Sequence, residues 1–449
     1  MATQQFQHLS IDQLCGHTYV CDCGKTHRVD TKRIVVEPGA MTKTPEILTN
    51  CGIHGRLLLV WDNNTYRVAG HTVESALQAA GWDFKTFNLG DTVHADELAI
   101  GRVLMATEDE TGIDAIIAVG SGTLNDCVRY VAGRTGIPYV IIGTAPSMDG
   151  YASKMAPITI DRFKRTFLST FPTAVIAEPK ILAEAPDIML AAGLGDVIGK
   201  VTALVDWVLG REILGETYCT QLVHMVSQAL RTVSAAAEEV KNHDHHAAAQ
   251  VMEALVLTGI AMQMNDDSRP ASGCEHHLSH YWEIVHGIQG VDTPLHGNKV
   301  GVGTVLIQKM QRKMLELPAD ALYYKPMNAI QRTTWEKEVR RAFGPLGDEA
   351  IYEYDISVLQ GDDPLGRLRK NWDALKAEMA GLMALSDAEA VLRTGNAPIL
   401  PSDLGITRDM VRDALLYSKE VRGRYTVLRL AHDIGILDQW VDEVMAEPI

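Results

Sequence analysis

His276 and His280 stand four residues apart in the stretch 273–297, GCEHHLSHYWEIVHGIQGVDTPLHG, which closes on a further His-Gly step at His296. Far upstream, Asp196 lies in AAGLGDVIGK. Imidazole nitrogens and a carboxylate are donors that divalent zinc, nickel and iron all accept. On a helix, His276 and His280 share one face and His277 points elsewhere. The spacing does not say which of the two binds metal. Gly193, Gly195 and Gly199 surround Asp196. Glycines weaken a helix, so they are expected where backbone must approach a ligand or a second helix. Asp196, His296 and a helix histidine would leave open positions at which a metal can polarise a substrate oxygen.

A second kind of chemistry is suggested at 120–126, GSGTLND, which follows an apolar strand. Gly120 and Gly122 permit close backbone approach, and a helix from Thr123 presents free N–H groups to phosphate oxygens. A polar residue stands where the dinucleotide fingerprint has its third glycine, and an ordinary strand-to-helix turn would read the same way. Asp62 ends the run RLLLVWD, where a carboxylate can accept hydrogen bonds from a ribose and disfavour a 2′-phosphate. That leans the cofactor toward NAD(H) without excluding NADP(H). In GTAPSMDGYAS, 143–153, Thr144, Ser147 and Ser153 can hydrogen-bond a cofactor. Asp149 stands at the rim for a substrate hydroxyl, or serves as a turn former before Gly150. A metal beside a nicotinamide nucleotide implies redox chemistry on a small alcohol or ketone.

The elements that must position these groups fall into two parts. Apolar runs at 56–62, 84–88, 113–119 and 138–143 read as strands and alternate with helices at 72–82, 95–111 and 123–134. This predicts an N-terminal α/β domain, 1–178, with a Rossmann-like parallel sheet and its ligand at the strand C-termini. Beyond it the strand signal fades into helices rich in Ala, Leu and Met, which predicts an all-α C-terminal domain, 179–449.

With 449 residues, 46% hydrophobic and 22% charged, the chain reads as a soluble globular protein. A net charge of -16 argues against nucleic acid or an anionic membrane as partner, though a local cationic cluster can still hold an anionic substrate. No signal-like start is evident, and no apolar run approaches membrane length. Seven scattered cysteines suggest reduced thiols in the cytoplasm. Cys21, Cys23 and His27 in YVCDCGKTH fall short of a zinc site, for which only Cys15 or His17 nearby could supply a fourth ligand; a turn between two strands is the reading adopted.

Taken together and in order, GSGTLNDCVRY, GTAPSMDGYAS, AAGLGDVIGK, EHHLSH and PLHGNKVGVGT resemble the sn-glycerol-1-phosphate dehydrogenase family. It belongs with glycerol dehydrogenases, iron-type alcohol dehydrogenases and dehydroquinate synthases, whose dehydroquinate synthase-like fold the resemblance implies. The resemblance runs from about 56 to 317. The resemblance implies that Gly120, Ser121, Gly122, Thr123 and Leu124 hold the NAD pyrophosphate. Thr144, Ala145, Pro146 and Ser147 would lie along the cofactor, with Ser153 a further contact. Asp149 would contact substrate, Asp196 both metal and substrate, and His276 and His296 the metal. His280 would serve the substrate as a proton relay.

The implied reaction is reversible reduction of dihydroxyacetone phosphate to sn-glycerol 1-phosphate, by a homodimer with NAD(H) or NADP(H) and one divalent metal. For the phosphate, Lys154, Lys164, Arg165 and Lys299 are candidates, and Lys164 and Arg165 in ITIDRFKRTF are preferred. The alternatives are a dehydrogenase of an unphosphorylated polyol, a dehydroquinate synthase-type cyclase, and a nucleotide-binding regulator without catalysis. Asp196 stands where the cyclases characteristically carry Glu.

Overall fold

Among the described residues ten strands precede the helical part of the chain, and six of them build one parallel sheet. In a computed structural model that describes residues 3–108, 112–161 and 163–447, β1 Thr18–Val20 and β2 Thr26–Arg28 form an antiparallel hairpin. The sheet comprises β3 Arg33–Val36, β4 Leu57–Trp61, β5 Phe84–Asn88, β6 Ala115–Gly120, β7 Tyr139–Gly143 and β10 Ala174–Ala177. Its order is β3-β10-β7-β6-β4-β5. Between β7 and β10 the chain makes a second antiparallel hairpin, β8 Met155–Ile160 with β9 Phe163–Leu168.

The period-two alternation of strands explains why β4 is apolar at every position. Leu57, Leu59 and Trp61 pack into a core on one side of the sheet, and Leu58 and Val60 into the core on the other. The chain leaves β4 for β5 on one flank and returns as β6 on the other, so the strand order reverses between β4 and β6. A crevice opens outside the carboxyl ends at such a point. The predicted strands at 56–62, 84–88, 113–119 and 138–143 correspond to β4, β5, β6 and β7.

Beyond β10 the described residues are helical. The helices that matter below are α1 Gly122–Thr135, which leaves β6, then α2 Asp187–Leu214, α3 Thr220–Ala235, α4 His245–Asn265, α5 Cys274–Gln289 and α6 His296–Glu316. The expectation that no apolar run reaches membrane length is corrected here: α2 and α4 are long and apolar enough by length and composition. Within the fold they are core helices, with 89% and 78% of their most apolar windows buried in the protein.

α2 and α6 cross at the glycines. A Cβ on Gly195 would lie 2.3 Å from the Gly297 carbonyl oxygen, and one on Gly297 would lie 1.9 Å from the Ala192 carbonyl oxygen. The helices therefore touch backbone to backbone, as the cluster around Asp196 suggested. Gly195→Ala is expected to cost about 1–3 kcal/mol, since the clash is with main chain and cannot be relieved by a rotamer change. Urea unfolding would read this as a lower midpoint; an unchanged midpoint would refute the close-contact reading.

Candidate metal centre and nucleotide cleft

The carboxyl ends of the sheet, the β8–β9 hairpin and helices α2, α5 and α6 enclose a cleft of about 1090 Å³. Its walls include Ser121, Gly122, Thr123, Asp149, His276, His280, Glu283 and His296. Asp196 lies at the base, fully buried on α2.

One ligand atom from each of Asp196, His276 and His296 lies within 4.8 Å of the others. His276 Nε2 stands 3.8 Å from Asp196 Oδ1. The other ring nitrogen of His276 lies 2.7 Å from Glu275 Oε1. A carboxylate behind a histidine fixes its tautomer and turns the free nitrogen toward the metal position. Glu275 is itself anchored by the Gly273 N–H and the Thr202 hydroxyl, both at 2.7 Å. Burial holds the His276 imidazole well below its ordinary pKa, so it is the neutral base a metal requires. This set of one oxygen and two nitrogens, converging on one buried point, fits a divalent ion.

A second grouping, His280, Glu283 and His296, shares His296 with the first. There the carboxylate is already committed: Glu283 Oε1 accepts from Lys164 at 3.0 Å and Lys299 at 2.9 Å, and Oε2 faces His280 Nδ1 at 3.0 Å. Burial works to raise the Glu283 carboxyl, but the two lysines and the two histidines overcome it and hold it well below the usual range. Burial also takes His280 down to about 4, against the opposing pull of Glu283. With Nδ1 directed at Glu283, neutral His280 turns Nε2 to the cleft.

Asp196 and Asp149 share Lys200, whose Nζ lies 2.6 Å from a carboxylate oxygen of each. Burial disfavours the ammonium, yet the two carboxylates hold its pKa above the ordinary value. Asp149 also donates its backbone N–H to Asp196 Oδ2 at 2.9 Å. Burial and the neighbouring Asp196 raise the Asp149 carboxyl, whereas Lys200 and His296 outweigh burial at Asp196 and lower it. Asp149 thus lies beside the metal position, in a short helical turn spanning Asp149–Ala152.

On the nucleotide side, Ser121, Gly122 and Thr123 face the cleft. Ser121 caps α1 without a side-chain hydrogen bond, which leaves the helix N–H groups to a ligand. A Cβ on Gly122 would meet Met148 Cε at 3.1 Å, so glycine keeps this wall thin. Gly120 and Leu124 pack behind the turn, where a Gly120 Cβ would collide with Leu124. Thr144, Ala145 and Pro146 form a buried layer: the Thr144 N–H bonds to Gly120 O at 3.1 Å, and Ala145 O accepts from the Tyr151 hydroxyl at 2.6 Å. Ser147 and Ser153 reach the cleft wall. Asp62 is not brought to that wall. Its carboxylate caps the helical turn Asn63–Thr65 by accepting from Thr65 N at 2.7 Å.

The two preferred phosphate residues separate because β9 alternates. Lys164 enters the cleft, while Arg165 is 55% exposed and lies 3.8 Å from Glu349, outside the lining. Arg165 is therefore corrected as a cleft residue. Lys154 lines the mouth and pairs with Asp266, and Lys299 is buried against Glu283 and Thr293. The sequence reading missed Lys200, Glu275, Glu283 and Arg422. Lysine four residues after Asp196, and glutamate three after His280, are helical-spacing signals that were available. Arg422 carried none; it comes to the cleft from the far end of the chain.

Residues 35–186 match the family model of iron-containing alcohol dehydrogenases. The glycerol dehydrogenase of Schizosaccharomyces pombe has the same fold, with a TM-score of 0.60 at 15% identity over 93% of this chain and 91% of that one. The class is that of the metal-type alcohol dehydrogenase fold, an α/β sheet followed by helices. Among curated relatives, the glycerol-1-phosphate dehydrogenase of Halalkalibacterium halodurans is 37% identical over 415 residues, 91% of this chain and 94% of its own length. That of Geobacillus thermodenitrificans is 35% identical over 96% of this chain and 99% of its own. The chain belongs to the glycerol-1-phosphate dehydrogenase family, and the similarity extends well beyond 56–317.

Glu275 never touches the metal position, so Glu275→Ala tests whether it orients His276. Metal affinity, read by competition with a chelator, is expected to fall roughly 10–100-fold. Unchanged affinity would exclude that role.

Proposed function

We propose that this chain is a metal-dependent, NAD(P)-linked dehydrogenase that reversibly reduces dihydroxyacetone phosphate to sn-glycerol 1-phosphate. The observation that carries the chemistry is the convergence of Asp196, His276 and His296 beside His280 and the thin Gly122 wall. The named relatives support the substrate and the cofactor class. Asp196, His276 and His296 would hold zinc, nickel or iron. Ser121, Gly122 and Thr123, with Ser147 and Ser153, would hold the nucleotide, and Asp149 and His280 the substrate. The bound metal supplies a Lewis acid for the substrate oxygen, and the nicotinamide supplies or accepts hydride.

The protein's own part is positioning and proton movement. In the oxidative direction the substrate O–H donates to His280 Nε2, and in the reductive direction the same nitrogen returns a proton drawn from solvent. Glu283 holds the ring through Nδ1 at 3.0 Å and fixes its tautomer. Lys200 keeps Asp149 and Asp196 in register and neutralises their mutual repulsion.

For the phosphate the favoured contacts are Lys164, Lys299 and Arg422, which line the cleft with the histidines. Burial is the main cause of the depressed His276 and His280 pKa values, and the Arg422 charge adds to it. Division into a nucleotide-binding part, 1–178, and a metal- and substrate-binding part, 179–449, belongs to the same proposal. So do the homodimer, a cytoplasmic location and the absence of nucleic-acid and membrane partners. Sedimentation of the full chain tests the dimer.

The direct assay is NADH or NADPH oxidation with dihydroxyacetone phosphate, on protein stripped of metal and reloaded with zinc, nickel or iron. No turnover with any of them would end the proposal. His276→Ala and His296→Ala should each lose metal. His280→Ala should keep metal and lose about 10²–10⁴ in rate. Arg422→Ala should raise KM for dihydroxyacetone phosphate about 10-fold or more while leaving KM for dihydroxyacetone unchanged. Burial brings Lys299 down to about 8, so its positive charge is present below that pH and lost above it. KM for the phosphorylated substrate should therefore climb as pH rises through about 8, with no matching climb for dihydroxyacetone; parallel profiles would remove Lys299 from the phosphate site.

A further inference from the structure

Cys21, Cys23 and His27 flank the tight turn between β1 and β2, as the sequence suggested. The fold adds a fourth group that no local spacing could supply: Cys219, at the N-terminus of α3, almost two hundred positions away in the chain. Neither Cys15 nor His17 joins them. One ligand atom from each of Cys21, Cys23, His27 and Cys219 lies within 4.8 Å of the other three.

Two of the spacings are close to the edge of a tetrahedron around zinc. Ligands about 2.3 Å from one zinc ion stand about 3.8 Å apart when both are sulfur, and slightly closer when one is nitrogen. Cys21 Sγ lies 3.6 Å from Cys219 Sγ, and Cys23 Sγ lies 3.3 Å from His27 Nε2. A disulfide would need about 2.05 Å, far shorter than the 3.6 Å between Cys21 and Cys219. His27 is oriented as a ligand should be: Nδ1 lies 2.6 Å from the Met264 carbonyl oxygen, so it carries the proton and Nε2 offers its lone pair to the sulfurs.

The turn is built to gather these groups. The Cys21 N–H bonds to Lys25 O at 3.0 Å, and Gly24 adopts φ +88, a left-handed conformation that wraps both thiols onto one side. Cys219 is the N-cap of α3, directly before Thr220. His27 and Cys219 are fully buried, and none of the four lines the catalytic cleft.

We propose that Cys21, Cys23, His27 and Cys219 bind a second metal ion, a zinc ion in a closed site of three sulfurs and one nitrogen. Four protein ligands leave no open position, so the ion is structural. It fastens the N-terminal hairpin to the start of α3 and, through His27, to the end of α4. On that last turn of α4, Gln263 donates to Ala152 O at 2.5 Å and to Thr31 Oγ1 at 3.0 Å. The staple thereby backs the segment that carries Asp149 and Ser153 into the cleft.

The test uses the full chain, purified under reducing conditions, stripped by chelator and reloaded with cobalt(II). The cleft site has no sulfur ligand, so a sulfur-to-cobalt charge-transfer band in the near ultraviolet reports the second site alone. The band is expected in wild type, and in His276→Ala with one equivalent of bound cobalt per chain. It should vanish in Cys219→Ser and Cys23→Ser, each of which should hold one equivalent fewer than wild type. Absence of the band in wild type overturns the proposal, as does a Cys21–Cys219 disulfide found by mass spectrometry under non-reducing conditions. Should the cysteine variants not fold, X-ray absorption of zinc-loaded His276→Ala decides: three sulfurs and one nitrogen sustain the proposal, and any sulfur-free shell sinks it.

Discussion

Backbone contact between α2 and α6 is the constraint on which the site depends. Asp196 and His296 come from helices that an ordinary side chain between them would push apart. Helix axes normally lie 8–10 Å apart, set by the residues at the crossing. Gly195 and Gly297 remove those residues. The Gly195 position then admits the Gly297 carbonyl, and the Gly297 position admits that of Ala192. Gly193 does the same for Pro146, whose carbonyl oxygen would lie 1.8 Å from an added Cβ. One short stretch of α2 thus docks both on α6 and on the segment that follows β7. Helix stability lost to glycine is repaid in packing: α2 is buried along nearly its whole length.

This docking places charges where water cannot screen them, and their pairing follows from that. Buried carboxylates are tolerated only when matched. Asp149 and Asp196 share Lys200, Glu283 gathers Lys164 and Lys299, and Asp126 pairs with Arg129 at 2.9 Å. Burial still raises Asp126 to about 6, because Arg129, with Lys164 and His296, does not fully offset desolvation. The protein carries a net charge of -16, and its cleft wall holds both signs, with Lys164 and Lys299 gathered on Glu283. Global charge and local field are separate quantities, and only the second bears on an anionic ligand.

What the sequence disclosed follows the range of the interactions involved. β4, β6 and β7 were legible because strands buried on both faces read as unbroken apolar runs. β3 and β10 were not, since Arg33–Val36 and Ala174–Ala177 are too short to stand out from the loops around them. His276, His280 and His296 were visible as residue types, but spacing could not assign them. The assignment needs Glu275 behind one ring and Glu283 behind the other. Asp62 reads two ways for a physical reason: an acid at a strand end can serve a ribose or cap the next helical turn, and its carboxylate accepts from Thr65 N. Arg165 misled because adjacent strand residues face opposite ways. Arg422 and Cys219 were beyond reach, since only the tertiary fold brings them to their partners.

The corner around Glu283 shows why a carboxylate belongs in a cationic pocket. Lys164, Lys299 and Arg422 would repel one another if gathered alone in a buried cleft, and side chains so placed would swing away or lose their protons. Glu283 prevents this for two of them by accepting from both lysines on one oxygen, at 3.0 and 2.9 Å, while its other oxygen steadies His280. Lys299 remains depressed only to about 8 and is therefore largely charged near neutrality. Acids other than Glu283 act on these cations as well, Asp126 on Lys164 and Asp267 on Arg422, so the corner holds both signs. A phosphate monoester near neutral pH carries roughly 1.5 to 2 negative charges. Under the proposed function the cations of this corner would meet that charge, while Glu283 holds the two lysines in place and fixes the ring proposed to move the proton.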